Sequence, residues 1–457
     1  MKLRVLEVVH IIPYTGSDSI QNSANLLSIP LTFFDIPWLV APPPKQVFFY
    51  RLMESTPEHF HSLILPKLKL SLSLVLDSYL PFSGCLTWSQ DELKPRIVVS
   101  QNDAVSVTIG ETDADFSHLS GYGQRLVSDL HTLTPELPFS DDSASVFSLQ
   151  ITLFPNQGFS IGYTAHHGVV DGKTVNMFMK AWAHLSRDGV IPLPVSLTPS
   201  LDRSFVKDLT RVDEQMMEVT RSYSVDKNNM RSLSLSPPGE IGDDLVMATL
   251  VMSQDDVQRL RERVWSSGDD QIHCHLSTFV IAYAYTWTCF VKARGGDGER
   301  AVSFALIGDF RTRLDPPLPA TYFGNCITTV GCYKRKAAEF VGEKGFVTAV
   351  ELMSDLVKSL SSPGMIETIA QRVTAFYDCI GESSQLGTVA GSNRDGVYEL
   401  DFGWGRPIKV DVISIRGEAI SMADTRDESG GVEIGICMNK TEMDIVFSLF
   451  NNGLQNS

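Results

Sequence analysis

Apolar positions recur along the chain at two spacings, and each predicts a different element. Over residues 56–80, Phe60, Leu63, Leu65, Leu68, Leu72 and Val75 fall at helical spacing despite Pro66, behind a Ser55-Thr56-Pro57 start signal. Residues 145–153 and 158–165 alternate as strands, and Pro155-Asn156-Gln157-Gly158 between them has hairpin-turn chemistry. After Asp171-Gly172, residues 174–185 predict a helix with Val175, Phe178, Met179 and Trp182 on one face. A strand is expected over 245–252, and Ser253 then caps a helix to Val264 with Asp255 and Asp256 in its first turn. Residues 276–292 form a mostly apolar, buried helix, and strands are expected over 408–415 and 432–438. Between 189 and 244 the pattern lapses into Pro192, Pro194, Pro199, many Ser and Asp, and Pro237-Pro238-Gly239, which predicts a long surface crossover. The chain divides into an α/β half over 1–190, a crossover over 191–244 and a second α/β half over 245–457.

Composition narrows the function classes. At 457 residues, 43% hydrophobic and 20% charged, the chain is globular and long enough for two cores. Lys and Arg total 38 against 54 Asp and Glu, a formal charge of −16, which excludes a nucleic-acid binder. An anionic small molecule in a local basic pocket is compatible with that charge. No apolar run approaches the roughly 18 residues of a membrane span. Glu7 and His10 interrupt the apolar residues that follow the early Lys2 and Arg4, so a signal peptide is not expected. Seven cysteines (Cys85, Cys274, Cys289, Cys326, Cys332, Cys379, Cys437) are odd in number, scattered and without CxxC pairing. That predicts free thiols and no metal site. A cytosolic, monomeric protein follows as the expectation.

The sharpest chemical feature is His166-His167-Gly168-Val169-Val170-Asp171-Gly172, where a strand stops and a helix begins. Two readings stand side by side. Both histidines are satisfied turn residues and Asp171 is a helix cap for Thr174; or Asp171 braces a tight turn from which His167 presents its imidazole to solvent. An imidazole near its ordinary pKa of about 6.5 suits general-base work on a hydroxyl, thiol or amine. No G-x-S-x-G elbow, Walker A loop or G-x-G-x-x-G is present. A base that activates one substrate directly against another needs no protein nucleophile. A buried Asp171 would need a cation, and Arg311, in Asp309-Phe310-Arg311-Thr312-Arg313, is the candidate. Residues 401–405 (DFGWG) read first as a tight turn under a core tryptophan, and residues 322–326 (YFGNC) as a strand entry.

His167-x-x-x-Asp171-Gly172 together with DFGWG at 401–405 resembles the plant BAHD family of acyl-CoA-dependent acyltransferases. Residues 31–39 (LTFFDIPWL), 79–84 (YLPFSG) and 153–158 (LFPNQG) resemble it too, so the likeness covers nearly the whole chain. YFGNC is similar to the branch that acylates anthocyanins and other flavonoid or phenolic glycosides. Residues 140–145 (SDDSAS), 276–297 and 430–435 (GGVEIG) are most similar to phenolic glucoside malonyltransferases. The resemblance implies two similar-sized mixed-sheet domains like those of chloramphenicol acetyltransferase, joined by the crossover, with an active-site channel between them. It implies acyl-CoA, malonyl-CoA first, as co-substrate and no cofactor. His167 would deprotonate a sugar hydroxyl, and Asp171 would point away from the channel and pair with Arg311. Asp401, Gly403, Trp404 and Gly405 would shape the donor side without touching the reacting atoms. Gly391 and Ser392 resemble a stretch along the pantetheine arm. Some malonyltransferases of this branch carry an arginine four residues after the motif aspartate; here that position is Val175, and the nearby cation is Lys173. A hydroxycinnamoyl (coumaroyl) donor is the alternative. More remote are a peptide-synthetase condensation-type domain, which shares HHxxxDG, and an inactive homologue that only holds a phenolic ligand.

Overall fold

The computed structural model of the chain describes residues 1–14, 25–52, 56–89, 91–189, 191–208, 210–223, 233, 241–267, 275–382 and 385–455. The expected Pro237-Pro238-Gly239 stretch and Cys274 lie outside them. Two large mixed sheets carry the fold. The first orders its strands as Arg4–Ile11, Val105–Glu111, Phe147–Phe154, Gly158–Ala165, Lys45–Arg51 and Lys409–Val412. The second runs Ile327–Lys336, Ala301–Asp309, Leu386–Ala390, Ala419–Asp424, Val432–Asn439, Leu245–Met252 and Arg125–Leu126. A smaller four-stranded sheet flanks the first. One apolar cluster runs through both large sheets, from Phe48, Leu149 and Trp182 to Trp287, Phe304 and Ile436.

The strongest patterns became the elements expected of them. The hairpin closes at Phe154 opposite Gly158, with Asn156 in the left-handed region at φ 59°. Gly172–Asp188 is helical, with Val175, Phe178, Met179 and Trp182 buried and Gly189 ending it at φ 64°. Leu245–Met252 is a strand, and Thr278–Arg294 is a buried helix capped by Ser277. Pro66 leaves its mark on the first long helix. Lacking an N–H, it cannot continue the regular ladder, and the preceding turn widens so that the Leu65 N–H reaches the Phe60 carbonyl. The expected strand over 408–415 is shorter, Lys409–Val412.

Two features differ from the sequence reading. The crossover is not a plain surface loop: it contains the helix Val212–Ser222, which buries Val212, Met216 and Met217. The Asp208 carboxylate starts that helix by accepting from the backbone of Val212 and Asp213 at 2.6 and 3.0 Å. Prolines and serines around it mask this short apolar repeat. The sheets also exchange strands across the midpoint of the chain. Arg125–Leu126 joins the second sheet through Met247, and Lys409–Val412 joins the first along residues 46–49. The exchanged strands are tied to each other, because the buried Arg125 guanidinium forks onto Asp411, with one arm at 3.1 Å. Lys409 extends the network to Asp411 at 3.5 Å and Glu433 at 3.0 Å, and Tyr122 and Tyr398 each donate to Glu433 at 2.7 Å. Among the described residues no helix is long and apolar enough to cross a membrane.

Burial pushes the Asp411 carboxyl up, but Arg125 and Lys409 outweigh it and hold it below the usual carboxylate range. Replacing Asp411 with Asn leaves the guanidinium buried without its counter-charge. We expect a loss of about 3–5 kcal/mol, read as a lower urea midpoint. An unchanged midpoint would show that the strand exchange does not depend on this pair.

Candidate active site

The His-His turn is built from its own backbone. The His166 N–H donates to the Val146 carbonyl at 2.8 Å, and the Val169 N–H returns to the His166 carbonyl at 3.0 Å. His166 is fully buried, and its Nδ1 accepts from the Gly168 N–H at 3.1 Å. Burial, with the neighbouring His167 charge, lowers its pKa to about 4, so it stays neutral and serves the turn. His167 differs from the expectation that it would stand free in solvent. Its imidazole is half-buried and stacked on Trp38, with ring centroids 4.4 Å apart and planes 12° from parallel. Burial lowers its pKa below the ordinary imidazole value, while its own carbonyl, the Asp171 charge and the Val170 carbonyl pull the other way. A neutral imidazole at pH 7 is one that can accept a proton.

Asp171 plays both roles that the sequence left open. Its Oδ1 caps the following helix by accepting from the Thr174 N–H at 2.9 Å. Both oxygens face Arg311, at 3.0 and 2.8 Å, and Oδ2 also accepts from the Cys326 N–H at 3.2 Å. None of these contacts is to the His167 ring. Arg311 gathers three segments: Asp171 at the helix start, Asp309 Oδ1 at 3.2 Å, and the carbonyls of Tyr322 and Gly324 at 3.4 and 2.9 Å. Burial pushes the Asp171 carboxyl up, yet Arg311 and the two backbone N–H groups outweigh that and hold it low.

The other side of the turn is held by residues that sequence reasoning did not single out. Asn325 donates its side-chain amide to the His167 carbonyl at 2.9 Å and to Asp35 Oδ1 at 3.2 Å. Asp35 pairs in turn with Arg203 of the crossover at 3.4 Å. Gly324 takes φ 127°, and a Cβ there would come within 2.1 Å of the Arg203 guanidinium. Beyond Trp38 a small cleft opens between the halves, walled by Ile327, Thr328, Thr329, Phe376 and Tyr377. Trp38 Nε1 and the Thr328 and Thr329 hydroxyls are buried without a hydrogen-bond partner. A signal for Asp35 did exist: a carboxylate inside the apolar run 31–39 must find donors. Nothing marked Arg203 within a presumed surface crossover.

The remaining expected residues are spread out. Lys173 is exposed and pairs with Asp309 at 3.2 Å. Gly391, at φ 74°, and Ser392 begin a turn closed by Asp395, whose carbonyl is held by Asn176 of the site helix. Asp401 Oδ1 accepts from the Gly403 and Gly405 N–H groups at 2.8 and 3.0 Å, fixing a turn with both glycines at positive φ. Trp404 packs edge-on against Phe159 and under Lys67. The Phe402 carbonyl accepts from Ser186 at 2.8 Å, so DFGWG sits at the far end of Gly172–Asp188. At about 1.5 Å per residue that is roughly 20 Å from Asp171. Among the described residues no group of three or more His, Cys, Asp or Glu side chains is arranged to hold a metal ion.

A family model described as the Transferase family matches residues 17–451. Phenolic glucoside malonyltransferase 2 of Arabidopsis thaliana is 61% identical over 99% of this chain and 100% of its own length. Agmatine coumaroyltransferase of the same plant is 45% identical over 100% of both chains. The crystal structure of vinorine synthase shares the fold, with a TM-score of 0.67 at 20% identity over 98% of each chain.

The depressed pKa of Asp171 fixes the sign of a pH effect. Stability from its pairing is present above the ordinary carboxylate value of about 4 and is lost as pH falls through the lowered one. At pH 7, Asp171→Asn should lose about 3–5 kcal/mol, and the gap in melting temperature should narrow towards pH 3. A gap that stays constant with pH would mean that the carboxylate charge is not what holds the turn.

Proposed function

This chain belongs to the BAHD family of acyl-CoA-dependent acyltransferases, and we propose that it moves a malonyl group from CoA to a sugar hydroxyl of a phenolic glucoside, flavonoid and anthocyanin glucosides included. The observation that carries the reading is His167: a half-buried imidazole whose pKa burial lowers, beside an aspartate engaged by Arg311 and two backbone N–H groups. Such a ring is a base without a relay. It takes the hydroxyl proton as the oxygen attacks the thioester carbonyl. The tetrahedral oxyanion then collapses, the C–S bond breaks, and CoA thiolate leaves, recovering the proton from the imidazolium. No covalent enzyme intermediate is needed. Cys326 beside the turn is a poor nucleophile, because burial pushes its thiol well above the usual range.

Malonyl as donor is supported by the 61% identical phenolic glucoside malonyltransferase. The coumaroyltransferase relative at 45% makes coumaroyl-CoA the comparison to run. In this reading Asp171 and Arg311 brace the turn, and Asp401, Gly403, Trp404 and Gly405 fix the donor-side wall from a distance. Lys173, Gly391 and Ser392 attend the CoA side. In this reading the protein works as a cytosolic monomer with no resident cofactor or metal.

Thiol release with malonyl-CoA and a panel of phenolic glucosides should appear only when acceptor is present, and should exceed that with coumaroyl-CoA. Turnover with coumaroyl-CoA alone would keep His167 and overturn the donor. His167→Ala should cost ~10²–10⁴-fold in rate; near-wild-type turnover would sink the mechanism. Lys173 is exposed, so Lys173→Met should raise the KM for malonyl-CoA only about 1.5- to 5-fold, the equivalent of an exposed ion pair. An unchanged KM would remove Lys173 from the donor site.

A further inference from the structure

We infer that Asn325 is a positioning residue for His167, itself held by Asp35 and, through Asp35, by Arg203 of the crossover. The inference rests on His167 acting as the base. The turn's own backbone bonds use the His166 carbonyl and leave the His167 carbonyl to the Asn325 amide, at 2.9 Å. The other end of the same peptide, the Gly168 N–H, donates to His166 Nδ1 at 3.1 Å. The peptide plane after His167 is therefore pinned at both ends by side chains. That plane sets the backbone angles of His167 and hence the direction in which its imidazole leaves the chain.

Asn325 is aimed by Asp35. Asp35 Oδ1 accepts from the Asn325 backbone N–H at 2.9 Å and from its side-chain amide at 3.2 Å. Oδ2 accepts from the Thr32 N–H and hydroxyl, both at 2.9 Å, and faces Arg203 at 3.4 Å. Both Asp35 and Asn325 are fully buried, so water cannot substitute for a lost partner without opening the core. Asp35 stands directly before the short 3-10 helix Ile36–Val40, and Trp38 lies three residues on, the spacing that stacks side chains on one face. One short element thus sets the backbone of His167 through Asp35 and Asn325, and the plane of its ring through Trp38.

The titratable or charged groups around the imidazole are Asp171 and His166, with Arg311 behind Asp171, and Asp35 and Arg203 behind Asn325. Removing the Asn325 amide frees the His167 carbonyl to stabilise a protonated ring and admits water, so both effects raise the His167 titration midpoint. The experiment is a pair of readouts on Asn325→Ala: steady-state kinetics, and NMR titration of the His167 Cε1–H signal assigned with His167→Ala. The expected result is a kcat about 10- to 100-fold lower, a KM for malonyl-CoA within about twofold of wild type, and a midpoint moved up in pH. A protein that melts earlier but keeps its kcat and midpoint would assign Asn325 to stability alone and overturn the inference. Should Asn325→Ala not fold, Thr32→Val removes one donor to Asp35 in an isosteric side chain. It should shift both readouts the same way by a smaller step, and wild-type values there overturn the inference equally. Because the titration needs no substrate, a raised midpoint in a protein inactive with every donor would defeat the acyltransferase reading and leave the positioning role standing.

Discussion

A buried guanidinium needs acceptors or the chain will not close over it, and the two terminal nitrogens of Arg311 are where this fold gathers them. Its acceptors come from three places far apart in sequence: Asp171 at a helix start, Asp309 at a strand end, and the carbonyls of residues 322 and 324. Because each is needed by the same planar group, their relative positions are fixed to within hydrogen-bond tolerance. Asp171 repeats the logic in negative, collecting Arg311, the Thr174 N–H and the Cys326 N–H. The pair therefore stabilises less than it specifies. Its net free energy is small once desolvation is counted, but removing one member strands a charge. The turn that carries His167 inherits that precision.

The precision would be of little use if the two halves could slide. Strand exchange prevents that, since Arg125–Leu126 and Lys409–Val412 each complete the other half's sheet and Arg125 grips Asp411 between them. The site is thus assembled across an interface that behaves as interior. Trp38 and His167 come from one side, while Arg311, Asn325 and the cleft wall of Ile327 and Phe376 come from the other. The crossover contributes as well. Its Arg203 packs against Tyr322 with the guanidinium carbon 5.2 Å from the ring, which places a segment expected on the surface behind the His-His turn.

How much of this the sequence could reveal follows from how local each signal is. The hairpin at 147–165, the helix after Asp171 and the strand 245–252 were legible because their periodicity and caps lie within one element. Arg311 was legible as a candidate because a buried aspartate implies a cation and residues 309–313 offer two, between which the family resemblance pointed to Arg311. The exchange of strands was not: Arg125–Leu126 is two residues long, too short to show a period, and the strand expected over 408–415, found as Lys409–Val412, carries no mark of the sheet it joins. The helix Val212–Ser222 was masked by its neighbours' prolines and serines. Asn325 looked like part of a strand entry because its partners, Asp35 and the His167 carbonyl, are 290 and 158 residues away.

The arrangement also bears on His167 as the proposed base. An aspartate hydrogen-bonded to the imidazole would raise its proton affinity and stabilise the imidazolium that forms as a nucleophile is deprotonated. Here Asp171 is turned to Arg311, and burial against Trp38 biases His167 towards the neutral form instead. A neutral imidazole suits a reaction in which the incoming hydroxyl loses its proton as it attacks and the thiolate leaving group needs little help to depart. Thiolates are far better leaving groups than alkoxides or amines, so the base need not be strong. On the proposed mechanism it needs only to be unprotonated and correctly aimed: burial lowers its proton affinity, the Asp171–Arg311 pair braces the turn that carries it, and Trp38 stacks on its ring.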